Sequence, residues 1–174
     1  YELYWSDEFD GETLNEDNWN YMYGDGSLYG NPGWGNQEEQ YYQKENVDVV
    51  DGNLVITAKR EAVGGKEYTS ARLNTAGKVN VKYGYIEARI SLPEVEGMWP
   101  AFWMLPESNT PYGGWPAAGE IDIMEARGRV NDMTSSALHY GPISGGSVYQ
   151  SKTNILRGDT ISSYHVYALK WTMY

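Results

Sequence analysis

Three carboxylate side chains fall within the six residues of one short segment, Glu-Ile-Asp-Ile-Met-Glu, at positions 120–125. The isoleucines between them favour a half-buried β-strand. Because alternate side chains of a strand share a face, Glu120 and Asp122 point to the same side. Strict alternation would turn Glu125 to the opposite side. We therefore predict a β-bulge at Ile123-Met124 that returns Glu125 to the side of the other two acids.

This spacing suits the cleavage of glycosidic bonds. With the bulge, the Cα atoms of Glu120 and Glu125 lie roughly 13 Å apart, and inward-leaning side chains bring the carboxyl groups within about 5–6 Å. Retaining glycosidases hold their two carboxyl groups ~5–5.5 Å apart. Repulsion within the row of acids raises the pKa of at least one of them, as a proton donor near neutral pH requires. Calcium ligation and a solvated acidic face are the alternatives.

Composition excludes several classes of function. The formal net charge of −11 argues against nucleic-acid binding and against anionic polysaccharides, whereas a neutral glycan is compatible with it. No apolar run approaches the ~20 residues of a membrane span. The chain of 174 residues has the length of one domain, and its 20 glycines and 16 tyrosines suit strands and turns.

The elements that must position the acids are short strands separated by turn signals. Asp51-Gly52-Asn53 marks a hairpin between two strands in 47–59, and 11–36 has the composition of a long functional loop. The other predicted strands cover 1–10, 68–74, 77–92, 98–104, 120–125, 135–140 and 164–172. Many short strands with turns between them predict an all-β, antiparallel β-sandwich.

Aromatic residues and a histidine lie near the acids along the chain. Trp99 and Trp103 share a face on a plain strand, where they form either a platform for sugar rings or a core aromatic pair. Trp115 precedes Glu120 in a loop and is a similar candidate. His139 lies on the next strand, ~4.8 Å away, and either reaches the acids or is a structural histidine.

Several motifs in order resemble the laminarinase-type branch of glycoside hydrolase family 16. They are GEIDIMEARG at 119–128, GMWPAFWMLP at 97–106, KYGYIEAR at 82–89, WSDEFDG at 5–11 and WGNQE at 34–38. The resemblance implies a concanavalin-like jelly roll with a concave substrate cleft, and one catalytic domain over 1–174. It also implies retaining endo-hydrolysis of β-1,3-glucosidic bonds without a catalytic cofactor.

The resemblance also implies roles for individual residues. Glu120 is the nucleophile, Glu125 is the general acid and base, and Asp122 tunes both. Sugar-binding residues matched in this way are Trp34, Asn36, Arg72, Trp99, Trp103, Trp115 and His139; a surface salt bridge is the alternative for Arg72. Glu8 and the Gly52 carbonyl match ligands of a structural calcium ion.

Alternatives to β-1,3-glucan hydrolysis stay open at this stage. They are a non-catalytic β-glucan-binding module and a hydrolase of mixed-linkage glucan or of a galactan, although Met124 weakens a strict lichenase assignment. A β-glucan polysaccharide is the expected partner, and secretion to the outside or the periplasm is the expected location. Because family members continue beyond the strand at 164–172, we expect the C-terminal strands missing here to come from a complementary segment on a second chain.

Overall fold

The computed structural model describes residues 2–108, 113–142 and 148–173, which form two compact units, Glu2–Asn80 and Val81–Tyr174. Strands and short 3-10 turns make up their regular structure, and α-helix is absent from these residues. The all-β prediction is therefore confirmed. Across the described ranges, no helix is long and apolar enough to cross a membrane.

The unit Glu2–Asn80 holds three small sheets. Strands β1 and β7 pair, β3 and β4 pair, and β2, β6 and β5 form a three-stranded sheet in that order. The β2–β6 pair is parallel, which corrects the prediction of a wholly antiparallel fold. The strands are β1 (Asn20–Met22), β2 (Gln40–Tyr42), β3 (Val47–Val50), β4 (Asn53–Ile56), β5 (Lys59–Val63), β6 (Lys66–Ser70) and β7 (Arg72–Asn74). Its 3-10 turns are Ser27–Tyr29, Pro32–Gly35 and Lys44–Asn46.

Local backbone chemistry decides two predictions in this unit. The β3–β4 hairpin is confirmed, and its two turn residues, Asp51 and Gly52, take φ values of 49° and 72°, as tight hairpin turns require. The strand predicted over 1–10 is wrong for the described residues. Phe9 has a φ of 55°, and its N–H donates to Asp7 Oδ1 at 3.0 Å, so a local turn replaces extended backbone there.

The unit Val81–Tyr174 contains two antiparallel sheets around a common core. One sheet has the order β12-β11-β10-β9, and β13 pairs with β8. The strands are β8 (Gly84–Ile90), β9 (Ala101–Met104), β10 (Glu120–Glu125), β11 (Met133–Tyr140), β12 (Val148–Ile155) and β13 (His165–Trp171). The buried core cluster comprises Leu92, Ile123, Met124, Ala126, Ile161 and Tyr167. Strand β10 thus contributes apolar residues to this core, while its acids occupy the other face.

Candidate active site

The β-bulge predicted in β10 is present. Asp122 lies opposite Ala137 of β11, but the next paired residue, Glu125, lies opposite Ser135, so one extra residue is accommodated in β10. The pairing with β9 shifts in the same place. Ile123 and Met124 are both buried in the core, with exposed fractions of 6% and 1%. Because these two neighbours share the core face, Glu125 returns to the face of the other acids.

His139 lies beside the row of acids, as predicted. It is the partner of Glu120 in the β10–β11 register, and its Nε2 is 3.1 Å from Asp122 Oδ2. One ligand-type atom from each of Glu120, Asp122 and His139 lies within 4.8 Å of the others. Asp122 is the buried member, with 4% of its surface exposed. The centre of the row is therefore shielded from water, whereas Glu120 and Glu125 are half-buried.

The pKa of Asp122 is raised to about 8. Burial is the largest cause, because it penalises the charged carboxylate; the negative charges of Glu120 and Glu125 add to it, and a hydrogen bond with Glu120 contributes least. The sequence predicted a raised pKa in this row from repulsion alone. In the structure the raised group is Asp122 and desolvation leads. At neutral pH the protein therefore favours the neutral, protonated form of the Asp122 carboxyl group.

We expect Asp122→Asn to become more stable relative to its parent as pH rises. An acid whose pKa is higher in the folded chain holds its proton more tightly there, so its contribution to the free energy of unfolding falls as pH rises from ~3.9 to about 8. The amide does not ionise and escapes this loss. The difference in stability should grow across that window by at most about 1.4 kcal/mol per pH unit and level off above it.

Urea unfolding of both proteins at several pH values between 4 and 9 measures this difference, with Asp132→Asn, at an exposed position, as the matched control. A difference in the free energy of unfolding between the two proteins that stays constant from pH 4 to pH 8 would contradict the assigned direction of the Asp122 pKa.

The Trp99 side chain bonds directly to Glu125. Its indole N–H donates to Glu125 Oε1 at 2.8 Å. Trp99 precedes β9, so the alternation of a regular strand does not determine which way its side chain points. Backbone bonds hold the two segments together, from Ala126 N–H to the Pro100 carbonyl at 3.1 Å and from Gly128 N–H to the Met98 carbonyl at 3.0 Å. The Arg127 guanidinium lies 5.1 Å from the Trp99 ring centroid, which is a cation–π contact that we did not predict from the sequence.

Glu120 accepts an equivalent bond from Trp115. The Trp115 indole N–H donates to Glu120 Oε2 at 2.8 Å, and its ring centroid is 6.0 Å from that of His139. On the other side, the exposed ring of Tyr149 stacks on His139 at 5.7 Å and 27°. Tyr149 was missed because its strand, β12, was not predicted: six consecutive residues of it, Tyr149–Asn154, are polar or half-polar and show no alternation.

Trp103 lies on the same face as the central acid. It is the partner of Asp122 in the β9–β10 register, and directly opposed residues of an antiparallel pair share a face. A cavity of about 150 Å³ adjoins Glu125, and its lining includes Trp99, Arg127, Ser135 and Thr153. That volume holds several water molecules. The site therefore has room for a hydrolytic water beside Glu125.

The other predicted sugar-binding residues belong to the unit Glu2–Asn80. Trp34 has only 4% of its surface exposed and packs against the rings of Tyr29 and Tyr42, with centroid distances of 5.2 and 5.4 Å. The Arg72 guanidinium lies 4.5 Å from the Trp34 ring centroid. Because so little of the indole is exposed, Trp34 offers a sugar almost no surface to stack on. Its contact with the Arg72 guanidinium instead holds that side chain in place. The Asn36 amide donates to Glu38 Oε1 at 3.1 Å.

The two predicted calcium ligands are neighbours within the same unit. The Glu8 carbonyl oxygen lies 4.0 Å from the position that a Cβ on Gly52 would occupy. Calcium takes six to eight oxygen ligands, and these two residues supply few of them. Glu120, Asp122 and His139 form the one cluster of three metal-ligating side chains in the described part of the chain. The calcium site stays a prediction.

A pair of carboxyl groups on one face of a strand, beside exposed tryptophans, is typical of enzymes that cleave glycosidic bonds. The family described as "Beta-porphyranase A-D, GH16 domain" matches residues 3–173. The chain therefore belongs to glycoside hydrolase family 16, a family of β-jelly-roll enzymes.

Individual relatives agree with this family. The chain is 43% identical to the β-glucanase of Rhodothermus marinus over 99% of its own length and 60% of that protein. It is 41% identical to the glucan endo-1,3-β-glucosidase of Cryptopygus antarcticus, over 98% of its length and 63% of that protein. The laminarinase catalytic domain of Thermotoga maritima superimposes with a TM-score of 0.91 at 41% identity, covering 99% of this chain and 70% of the other. The chain thus spans less than two thirds of the length of both curated relatives.

Proposed function

We propose that this protein is a retaining endo-hydrolase of β-1,3-glucosidic bonds in laminarin-like glucans. The observation that carries the proposal is the bulge in β10, which gathers Glu120, Asp122 and Glu125 on one face. Relatives at 41–43% identity are a β-glucanase and endo-1,3-β-glucanases, which supports glucan as the substrate class. A polysaccharide too large to enter a cell is cleaved outside it, so we also propose secretion.

The proposed reaction proceeds in two balanced steps. A Glu120 oxygen bonds to the anomeric carbon, the glycosidic C–O bond breaks, and the Glu125 proton moves to the departing oxygen. Glu125 then takes a proton from water, whose oxygen attacks the same carbon and releases Glu120. Asp122, protonated at neutral pH, donates a hydrogen bond towards Glu120 and limits the negative charge on this face. The two inversions together retain the β configuration.

Sugar contacts are assigned to the residues that the resemblance identified. Trp99, Trp103 and Trp115 offer rings beside the acids, and His139 offers an imidazole bonded to Asp122. We propose that Asn36 and Arg72 hydrogen-bond glucosyl hydroxyls, with Trp34 supporting the guanidinium. The chemistry uses carboxyl groups and water alone.

A galactan is the second candidate substrate class. One observation favours it, namely that the matching family description names β-porphyranases. Glucose and galactose differ in the orientation of one hydroxyl group. Direct comparison of substrates therefore has to separate the two.

Reducing-sugar release from laminarin, lichenan, agarose and porphyran tests the proposal. We expect the highest rate on laminarin, with oligosaccharides of several lengths appearing together, as endo-hydrolysis requires. Proton NMR of the first products should show the β-anomer before mutarotation. Binding of laminarin without release of reducing ends would identify a binding module instead, and faster cleavage of porphyran or agarose would identify a galactanase.

A further inference from the structure

We propose that Trp99 and Trp115 are positioning residues, each of which selects the working oxygen of one glutamate. This inference rests on the proposed hydrolase function and goes beyond a role for the two rings in stacking on sugars. It assigns Glu120 Oε1 as the attacking atom and Glu125 Oε2 as the atom that carries the transferred proton.

The assignment follows from the donor chemistry of indole. Tryptophan has one polar hydrogen and no acceptor, so its N–H can only donate. Trp115 donates to Glu120 Oε2 and Trp99 donates to Glu125 Oε1, both at 2.8 Å. An oxygen that accepts such a bond is the poorer site for a proton and the poorer nucleophile. The proton of Glu125 therefore belongs on Oε2, and Glu120 attacks through Oε1.

Positioning is needed because an unrestrained carboxylate rotates freely about its terminal bond. The terminal torsion of glutamate is broad and nearly two-fold, so a half-buried Glu120 or Glu125 would otherwise exchange its two oxygens. The two indole bonds remove that freedom before the substrate arrives. Both indoles are partly exposed, at 45% for Trp99 and 53% for Trp115. Neither ring is therefore a core residue whose place is dictated by packing alone.

The surroundings hold the two indoles in their places. Arg127 lies over the Trp99 ring, and backbone bonds anchor the segment that carries Trp99 to the segment after β10. Trp115 adjoins the ring of His139, which is itself fixed between Asp122 and Tyr149. Each glutamate thus has its own aromatic donor, held by its own neighbours. The two donors can be removed separately.

Trp99→Phe and Trp115→Phe remove the N–H but keep a ring for stacking. Each variant is tested in two reactions, kcat/KM on laminarin and the first-order rate constant of covalent labelling by a 2-fluoro β-1,3-glucan oligosaccharide with a 2,4-dinitrophenyl leaving group. Labelling needs the nucleophile but no proton donor, because dinitrophenolate leaves unprotonated. Its rate constant is also independent of the fraction of protein that is correctly folded.

Both variants should hydrolyse laminarin more slowly, but only one of them should be labelled more slowly. For Trp115→Phe we expect labelling and laminarin hydrolysis to slow together by roughly tenfold or more, because the nucleophile is misplaced. For Trp99→Phe we expect labelling within about twofold of the parent but laminarin hydrolysis reduced by roughly tenfold or more, because the acid is misplaced. The control is Trp19→Phe, which removes an indole bond of 2.9 Å to the Asp7 carboxylate and should change neither reaction.

Equal slowing of labelling in both tryptophan variants, or normal hydrolysis in either, would overturn the inference while leaving the proposed function intact. Failure of the unsubstituted protein to cleave any glucan would overturn the proposed function and this inference with it.

Discussion

Glu120→Ala is expected to reduce laminarin hydrolysis by at least about 10⁴-fold, because no other carboxylate can form the covalent intermediate. Asp122 cannot substitute for it, since that carboxyl group is buried and protonated at neutral pH. Binding of long glucans should persist, because most sugar contacts come from side chains that the substitution leaves in place. Reducing-sugar assays and isothermal titration with laminarin oligosaccharides measure the two quantities separately.

Azide distinguishes a lost nucleophile from a damaged fold. The anion fits the space left by the carboxylate and attacks the anomeric carbon of a dinitrophenyl β-glycoside from the same side as Glu120. The product should be an α-glycosyl azide, formed with one inversion. Glu87→Gln, an exposed acid on β8, is the control and should be fully active without azide. Near-normal hydrolysis by Glu120→Ala would show that another residue attacks.

The sequence predicted the parts of the structure that depend on strictly local rules. Asp51-Gly52 can take positive φ, so the β3–β4 hairpin followed from the turn alone. The bulge was predictable because the three acids need to share one face, whereas the alternation of a regular strand would turn Glu125 away. Two apolar residues, Ile123 and Met124, separate Asp122 from Glu125. Such a pair satisfies burial only when both side chains face the core. The spacing of neighbouring strands predicted that His139 lies next to the acids, and the register confirms it.

Features that depend on irregular backbone were not predictable in this way. Phe9 looks like a strand residue by type, but its N–H bonds to the Asp7 side chain and its φ is 55°. Strand β12 is polar and exposed along nearly its whole length, so no apolar alternation marks it. Its partner β11 specifies it through backbone hydrogen bonds that no sequence pattern shows.

The tryptophans show that a sequence can identify the residues of a site without revealing what each side chain does there. Trp99 and Trp115 were selected as rings for sugar stacking, and the structure adds indole bonds to both glutamates. Trp34 was selected from the family resemblance, but it is buried and the Arg72 guanidinium lies over its ring. Exposure and the direction of an N–H are set by tertiary neighbours, and a single sequence does not contain them.

Glu125→Ala should separate the two chemical steps that one residue serves. On laminarin we expect a loss of roughly 10² to 10⁴-fold, because the departing sugar oxygen must be protonated. On a dinitrophenyl β-glycoside the first step needs no acid, so a burst of dinitrophenolate equal to the enzyme concentration should appear at near-parental rate. The second step then slows, because no base remains to activate water, and the glycosyl-enzyme accumulates at Glu120.

Azide should accelerate this second step, since the anion needs no base, and should release a β-glycosyl azide after two inversions. The opposite product configurations in Glu120→Ala and Glu125→Ala are a direct consequence of placing one carboxylate at the anomeric carbon and the other at the leaving oxygen. An α-azide from Glu125→Ala would exchange the two roles. The bulge in β10 places both glutamates on one face, where one can reach the anomeric carbon and the other the leaving oxygen. We therefore expect the two variants to give glycosyl azides of opposite configuration.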